Sequence, residues 1–381
     1  MSGARKPGAA PEEDAARIAP VAARAWPAAI LRGLEALPSD ASARRYVRLH
    51  LSGRGAPASA IAMLLPDDQP ANVSEELTNQ DGSVADQDGS IAELPFLNLH
   101  RYLTGRGVAV PALFATALER GVLLLEDVGD RSLARAALDS LEGARRADPA
   151  PDVEDLFAAA VDTLAQIAAA IRHPDPGCQA FQQRYDRRLI GLELDVVSSH
   201  GLAPSDQGPA RDPAADREMK LVLDRLGDAI AAEPDVLMHR DYHAWNLHLD
   251  ASGAIRVLDF QDALVGPALY DLASLFTDRD SDRFVTPELE RGLVERFARA
   301  LAERGGPVWS SPLELRRQYL QAVAYRTLRV IGRFRFLAIE KQKSGYLRFL
   351  PRMARQTRRA LDELGDGKLA RLLAARSALF A

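Results

Sequence analysis

The segment of residues 237–276, LMHRDYHAWNLHLDASGAIRVLDFQDALVGPALYDLASLF, constrains the fold of this chain more than any other. Two short apolar runs, residues 246–249 and 255–258, are joined there by Asp-Ala-Ser-Gly, a pattern typical of a tight β-hairpin. Asn246 opens the first strand and Asp259 follows the second, so an antiparallel hairpin places both at one end. Asp241 lies in the loop before Asn246. We therefore expect two carboxylates and an amide oxygen to converge.

Oxygen ligands of this type suit Mg²⁺, which binds a few protein oxygens and shares its remaining positions with water and phosphate. A carboxylate beside such a metal can accept a proton from a hydroxyl group. The spacing H-R-D-x-x-x-x-N, followed by an aspartate after a hairpin, is similar to that of kinase catalytic loops. Each residue alone could be a helix cap or a turn former, but the three together favour a magnesium-dependent site.

Neighbouring residues of the segment have simpler explanations. His239 is expected to hold the loop rather than to take part in chemistry, and His243 and His248 are expected to be bystanders. Asp271 is expected to cap the helix that it opens, or to fix the loop backbone. An alternative is a transition-metal hydrolase with His239, Asp241 and His243 as ligands. It is disfavoured because no remote histidine cluster completes such a site.

The rest of the chain is predicted to divide around a short connector. We expect a disordered lead-in at residues 1–25, an N-terminal nucleotide-binding part at 26–125, a connector at 126–130, and a C-terminal catalytic and substrate part at 131–381. Residues 67–92 carry seven acids and no Lys or Arg, which predicts a disordered insertion. The apolar spacing predicts helices at residues 30–37, 96–103 and 157–171 and strands at 45–51, 60–65, 108–111 and 121–125.

Composition excludes several classes of protein. The net charge of −5 and the isoelectric point near 5.9 argue against a nucleic-acid-binding polycation. The single cysteine, Cys178, excludes a disulfide scaffold and favours a reducing compartment. No apolar run approaches the ~18–20 residues that span a bilayer, so we expect a cytoplasmic protein without a membrane partner. The sequence also lacks the P-loop motif G-x-x-x-x-G-K-[ST], a complete dinucleotide-binding motif G-x-G-x-x-G after a strand, and the lipase-type motif G-x-S-x-G. These absences argue against a P-loop nucleotide site, a Rossmann dinucleotide site and a lipase-type nucleophile.

Blocks from residue 40 to residue 352 resemble a known family. The blocks are SDASARRY at 39–46, ELPF at 93–96, LLLEDVGD at 123–130, HRDYHAWNL at 239–247, VLDFQDALVGPALYDLASL at 257–275, YRTLRVIG at 325–332, GYL at 345–347 and LPR at 350–352. The chain resembles the aminoglycoside phosphotransferase-like branch of the protein-kinase-like fold. More narrowly, it is similar to bacterial anomeric N-acetylmuramate/N-acetylglucosamine kinases of cell-wall recycling. The resemblance implies a bilobal α+β fold, with a small antiparallel-sheet N-terminal lobe and a larger, mainly helical C-terminal lobe.

The resemblance also implies roles for individual residues. Asp241 would be the catalytic base, and Asn246 and Asp259 would bind Mg²⁺. The backbone of residues 126–128, between Glu126 and Val128, would contact the adenine of ATP. The loop around Ser42 would cover the phosphates, with charge from Arg44 or Arg45.

One position departs from the general kinase pattern. Met63 stands where a phosphate-binding lysine is common, and Glu93, the possible partner of that lysine, would lack a cation. Because the sugar-kinase subgroup is similar in this respect, we interpret Met63 as a subgroup trait. The alternative is a nucleotide-binding pseudokinase, although the presence of Asp241, Asn246 and Asp259 argues against it.

The C-terminal helical region, residues 326–359, carries eleven basic residues against the single acid Glu340. Arg326, Arg329 and Arg333 share one helix face. That face is either solvated or contacts an anionic group of the substrate, such as the lactyl carboxylate of muramate. Nucleic acid is disfavoured because no aromatic residues interleave as in a stacking platform. An aminoglycoside or a choline-like alcohol stays open as the substrate, and the basic stretch argues mildly against a polycation.

Overall fold

The computed structural model describes residues 8–9, 11–38, 44–66, 93–141, 152–202 and 213–381, with residues 8–9 described by their backbone alone. Ser42 and the predicted acidic insertion at 67–92 lie outside the described residues. The chain forms two compact units. Unit 1 comprises Met1–Thr104, Ala109–Asp130 and Leu249–Gln261, and unit 2 comprises Gly105–Val108, Arg131–His248 and Asp262–Ala381.

Within the described residues, the strands and helices follow one another in the order β1 (Gly8–Ala9), α1 (Glu12–Ala25), β2 (Ala29–Ala36), β3 (Arg45–Gly53), β4 (Ser59–Leu64), α2 (Pro95–Gly105), β5 (Leu113–Ala117), β6 (Val122–Glu126), α3 (Leu133–Leu141), α4 (Val153–Ala169), α5 (Arg187–Val196), α6 (Pro213–Ala231), β7 (Asp235–Met238), β8 (Leu247–Leu249), β9 (Ile255–Val257), β10 (Leu264–Pro267), α7 (Tyr270–Thr277), α8 (Pro287–Glu303), α9 (Pro312–Glu340), α10 (Leu350–Leu364) and α11 (Gly367–Arg376).

Unit 1 is built on an antiparallel sheet with the strand order β1-β2-β3-β4-β6-β5. The predicted strands at 45–51, 60–65 and 121–125 are confirmed as β3, β4 and β6, and the predicted helix at 96–103 is confirmed as α2. Strand β6 is a nearly continuous apolar run because both of its faces are buried, as the burial of all of Val122–Leu125 shows.

The predicted disordered lead-in at residues 1–25 is wrong for its second half, which forms helix α1. Ile18, Val21 and Ala22 lie at i, i+3 and i+4 and are buried in one apolar core with Val47 and Leu124 of the sheet. The abundance of Ala, Arg and Glu concealed this short apolar stripe. The packing of the stripe on the sheet stabilises the helix.

Two further predictions for unit 1 are wrong. The helix predicted at residues 30–37 is not formed: residues 30–36 lie in strand β2, whose pairing with β3 shifts register between Leu31 and Gly33. This bulge breaks the two-residue alternation and leaves an apolar spacing that imitates a helix. Residues 108–111 are not a strand; the edge strand is β5, which begins at Leu113. Proline at 111 has no N–H to donate to a sheet.

Unit 2 is mainly helical, as predicted, and the core helix predicted at 157–171 is confirmed as α4. Helix α9 has 29 residues and packs against α5, α6, α7, α8 and α10. A Cβ on Gly332 of α9 would lie 3.0 Å from the backbone of Val197, so only glycine allows this close approach to the turn that follows α5. No helix among the described residues combines the length and apolarity needed to cross a bilayer.

The predicted hairpin is confirmed: β8 and β9 form a two-stranded sheet. Gly253 closes its turn at a φ of +83° and donates its N–H to the carbonyl of Asp250. The predicted division placed the whole hairpin in the C-terminal part, whereas residues Leu249–Gln261 belong to unit 1. There the N–H of Val257 donates to the carbonyl of Ala109.

Candidate active site

The loop of residues 239–246, which we call the catalytic loop, begins where β7 ends in unit 2. Arg240 adopts a φ of +76°, a left-handed conformation that costs a non-glycine residue of order 1–3 kcal/mol. The N–H of His239 donates to Oδ2 of Asp271 at 2.5 Å, and the N–H of Asp241 donates to Nδ1 of His239 at 3.3 Å. These contacts hold the loop in its strained conformation, which fits the support role predicted for His239 and Asp271.

Asp241 presents its carboxylate to solvent, with 54% of the side chain exposed. The amide nitrogen of Asn246 donates to the backbone carbonyl of Asp241 at 3.0 Å and approaches Oδ2 at 3.4 Å. Asn246 is therefore oriented through its nitrogen, and its amide oxygen accepts no hydrogen bond within the described residues. The structure brings these two predicted residues together.

His243 is not the bystander that the sequence suggests. Its ring is buried, and Nε2 lies 3.4 Å from Oδ1 of Asp241. Desolvation by itself would raise the pKa of Asp241, but the charges of His243, His239 and Arg326 outweigh it and hold that pKa well below its usual range. The carboxylate is therefore ionised at neutral pH, as a proton acceptor must be.

Asp271 is buried and reaches the catalytic loop from the first turn of α7. Burial raises its pKa to about 7, against the lowering effect of the backbone N–H groups of His239 and Arg240. It does not cap its own helix, whose N-cap residue is Leu269. Of the two functions expected for Asp271, the hydrogen bond to the loop backbone is the one observed.

Asp259 belongs to unit 1. It follows β9 with a φ of +58°, and Nε2 of Gln261 donates to its Oδ1 at 2.8 Å. Two residues thus adopt left-handed conformations: Arg240, which precedes the predicted base Asp241, and Asp259, a predicted metal ligand. Strain of this kind is concentrated at functional sites.

Taken singly, Asn246 of unit 2 offers an amide oxygen and Asp259 of unit 1 offers a carboxylate oxygen, and both are hard donors of the kind that Mg²⁺ prefers. Among the residues that the structure describes, there is no group of three or more His, Cys, Asp or Glu side chains arranged to hold a metal. His239, Asp241 and His243, the alternative set of metal ligands, instead contact one another. Nδ1 of His239 accepts the N–H of Asp241, and His243 faces the Asp241 carboxylate.

The predicted nucleotide-binding residues of unit 1 lie on the sheet and the connector. Met63 is fully buried on β4, between Tyr46 of β3 and Leu123 of β6 in the sheet register. Oε2 of Glu126 accepts the N–H of Ala112 at 3.0 Å. Val128 is partly buried in the connector.

Two charged residues of unit 1 have partners that the sequence does not reveal. Arg45 pairs with the buried Asp14 of α1 at 2.9 Å. Our expectation that Glu93 would lack a cation is wrong. Arg101 of α2 forms an ion pair with it, and Asn98 donates to it at 3.0 Å.

Arg48 is a further residue that sequence reasoning missed. From β3 it donates to Oδ2 of Asp127 at 2.8 Å and to Oδ1 of Asp130 at 2.7 Å. Desolvation alone would raise the pKa of Asp127, and the hydrogen bond from Arg48 is the largest effect that lowers it. The sequence shows an arginine on a predicted strand and two aspartates in the predicted connector. It does not show that they pair, because Arg48 and Asp127 are 79 residues apart.

The predicted substrate residues Arg326 and Arg329 lie on α9 with different surroundings. Arg326 is buried and donates to Thr277 at 3.2 Å and to Asp278 at 3.4 Å. Arg329 is one-fifth exposed, at 19%, and pairs with Glu193 of α5 at 2.7 Å. Their contact with a substrate stays a prediction.

Comparisons with known proteins show which proteins this chain is similar to. The family model described as "Phosphotransferase enzyme family" matches residues 33–315. The chain is 29% identical to an N-acetylmuramate/N-acetylglucosamine kinase of Caulobacter vibrioides, over 84% of this chain and 85% of that protein. It is 30% identical to a protein of the same name from Pseudomonas putida, over 86% of this chain and 83% of that protein.

A solved choline kinase from Cryptosporidium parvum is similar with a TM-score of 0.55, at 11% identity, over 90% of this chain and 93% of that one. This likeness confirms the protein-kinase-like α+β fold class. Because the family model covers most of the sequence, including the catalytic loop and the hairpin, the chain belongs to the phosphotransferase enzyme family.

Proposed function

We propose that this protein is an ATP- and Mg²⁺-dependent kinase that phosphorylates the anomeric hydroxyl of N-acetylmuramate and N-acetylglucosamine in the recycling of peptidoglycan. The observation that carries the proposal is the agreement of four relatives. All four are named N-acetylmuramate/N-acetylglucosamine kinase, and each match spans at least 84% of this chain and 83% of the relative.

The proposed reaction uses Asp241 as the base. The sugar hydroxyl oxygen bonds to the γ-phosphorus of ATP while the bond from that phosphorus to the β–γ bridging oxygen breaks. ADP leaves, and the hydroxyl proton passes to the Asp241 carboxylate. Because the pKa of Asp241 is held low, this residue mainly orients the hydroxyl and receives its proton late in the transfer, which suits a loose phosphoryl transition state.

Asn246 and Asp259 are the residues that would hold the metal. Mg²⁺ supplies positive charge that offsets the charge of the transferring phosphates. The Asn246 amide is already turned with its nitrogen toward Asp241, which leaves its oxygen for a cation. Gln261 orients the Asp259 carboxylate through one oxygen and leaves the other for a ligand.

A coupled assay of ATP consumption tests the proposal. Purified protein with Mg²⁺ receives N-acetylmuramate, N-acetylglucosamine, kanamycin or choline in parallel. We expect turnover on the two acetylated sugars and a fall of about 10²- to 10⁴-fold in Asp241→Asn. Asp195→Asn, an exposed residue of α5, is the matched control and should keep full activity. Phosphate transfer to kanamycin or choline alone, or to none of the four, would contradict the proposal.

A further inference from the structure

Glu193 of α5 has an unusual set of hydrogen bonds. One carboxylate oxygen, Oε2, accepts the hydroxyl of Tyr185, the hydroxyl of Tyr325 at 2.7 Å and Nε of Arg329 at 2.7 Å. Tyr185 and Tyr325 are buried, and their hydroxyls are also within 2.8 Å of each other. Three donors on one oxygen fix the carboxylate in a single orientation.

The other oxygen of Glu193, Oε1, carries no hydrogen bond among the described residues. The side chain is 15% exposed, so this oxygen belongs to a carboxylate that is mostly enclosed yet open to solvent. Burial would raise the pKa of Glu193, but the charges of Arg329 and Arg240 outweigh burial and lower it. The group is therefore ionised, and an ionised carboxylate can only accept hydrogen bonds.

This carboxylate is adjacent to the catalytic loop within unit 2. The guanidinium of Arg240, which directly precedes Asp241, lies 6.0 Å from the ring centre of Tyr185. The guanidinium of Arg329 lies 5.9 Å from the ring centre of Tyr270, the residue before Asp271. Tyr185 thus contacts Glu193 through its hydroxyl and lies under the guanidinium of Arg240, a residue of the loop that carries the base.

The close packing of α9 on the turn after α5 makes this arrangement possible. Gly332 lies two turns beyond Tyr325, and a Cβ there would meet the backbone of Val197 at 3.0 Å. A Cβ on Gly201 would in turn lie 3.1 Å from the Cα of Gly332. With these two glycines, α9 brings Tyr325 and Arg329 up to Glu193.

We propose that Glu193 is an acceptor-binding residue whose Oε1 takes a hydrogen bond from a hydroxyl or an amide N–H of the sugar. This inference rests on the proposed function and names a contact for it. A pre-oriented, ionised acceptor near the catalytic loop discriminates strongly, since a substrate that lacks the matching donor leaves a charged oxygen desolvated and unpaired. Tyr185, Tyr325 and Arg329 are positioning residues for this contact.

The experiment compares wild type with Glu193→Gln on N-acetylglucosamine, on its 3-, 4- and 6-deoxy analogues, and on 2-deoxyglucose, which lacks the acetamido group. In Glu193→Gln the amide oxygen can keep the three donors, and the NH₂ group replaces the acceptor Oε1. We expect one analogue to lose about 10- to 100-fold in kcat/KM with wild type, the range for a hydrogen bond to a charged group. With Glu193→Gln, that loss should shrink to less than about threefold.

Two further measurements keep the outcomes distinct. KM for ATP should stay within about twofold in Glu193→Gln, because the contact is to the acceptor. Asp195→Asn, on the same helix and exposed, should retain the wild-type losses. If Glu193→Gln fails to fold, Glu193→Asp retains the charge and withdraws the carboxylate by one methylene, and it should show the same reduced discrimination.

If every analogue loses the same factor in wild type and in the folded variant, the inference is overturned while the proposed function stands. If wild type phosphorylates no amino sugar at all, the proposed function itself fails. The two failures therefore have different signatures.

Discussion

Oδ2 of Asp271 lies 2.5 Å from the backbone nitrogen of His239, and this contact joins the first turn of α7 to the start of the catalytic loop. The contact stabilises a loop in which Arg240 has a φ of +76°. Strained backbone persists only where neighbouring groups over-determine it. The position of the Asp241 base therefore depends on a carboxylate thirty residues away in the sequence.

Asp271→Ala removes the buried carboxylate that accepts the N–H of His239, at a cost of about 1–3 kcal/mol. We expect kcat to fall about 10- to 100-fold, with KM for ATP little changed, because the loop relaxes away from its productive geometry. Asp271→Asn keeps an acceptor oxygen and should lose clearly less. Steady-state kinetics of both variants provide the check, and equal losses in both would contradict this explanation.

The sequence was sufficient for the catalytic loop and the hairpin because both are local. Asp241, Asn246 and the turn at Gly253 lie within a few residues of one another, and their spacing sets their geometry. Helix α1 and strand β2 were not predictable in this way. The apolar stripe of α1 gains its stability only from the sheet, and the bulge in β2 hides its alternation.

The long-range polar contacts were invisible for the same reason. Arg48 meets Asp127 across 79 residues of sequence, and Glu193 meets Tyr325 across 132. Nothing in the local pattern around Glu193 distinguishes it from the exposed Asp195 on the same helix. His243 looked incidental because its closeness to the Asp241 carboxylate depends on the strained path of the loop.

Metal binding separates the roles of the predicted residues. Asn246→Ala and Asp259→Ala should each raise the Mg²⁺ concentration needed for half-maximal rate, since each removes a hard oxygen ligand. Asp241→Ala should abolish turnover and leave the affinity for the Mg²⁺–nucleotide complex near the wild-type value. Mg²⁺ titrations of the rate and calorimetric nucleotide binding measure these effects. Unchanged Mg²⁺ dependence in Asp259→Ala would count against its assignment as a ligand.

The connector depends on Arg48. Its side chain is 13% exposed, and that of Asp127 is 7% exposed, so Arg48→Ala leaves a buried carboxylate without its cation. We expect a loss of about 2–4 kcal/mol in the free energy of unfolding. If residues 126–128 contact adenine, KM for ATP should also rise, by about tenfold.

The matched control for Arg48 is Arg32→Ala on the neighbouring strand. Arg32 is exposed, and its Nε donates to the hydroxyl of Ser52 at 2.7 Å. It should change stability by less than about 0.5 kcal/mol. Chemical unfolding and ATP kinetics of the two variants test the comparison, and similar effects from both would refute a special role for Arg48.

Glu233 predicts a pH dependence of stability. It is 5% exposed, Oε2 accepts the N–H of Leu269 at 2.9 Å, and burial raises its pKa from 4.5 to about 8. The folded state therefore binds the proton more tightly than the unfolded state, so stability falls as pH rises between these two values.

Glu233→Gln removes the titrating group and keeps an acceptor for Leu269. Relative to wild type, the variant should gain stability as pH increases from 5 to 8.5, by an amount on the order of 3 kcal/mol. Unfolding with urea at several pH values measures the difference. A difference that stays constant with pH would show that Glu233 is not buried as a neutral acid.

Met63 offers a test of the departure from the general kinase pattern. The side chain is fully buried, so Met63→Lys would place an ammonium among apolar strands. Glu93, the carboxylate that the kinase pattern would offer to it, already binds Arg101 and Asn98. We expect Met63→Lys to lose several kcal/mol of stability, or to fold with a neutral lysine, and to show no gain in kcat.

Met63→Leu conserves volume and should cost less than about 1.5 kcal/mol. A stable Met63→Lys protein with faster turnover would instead mean that the chain has lost a functional lysine.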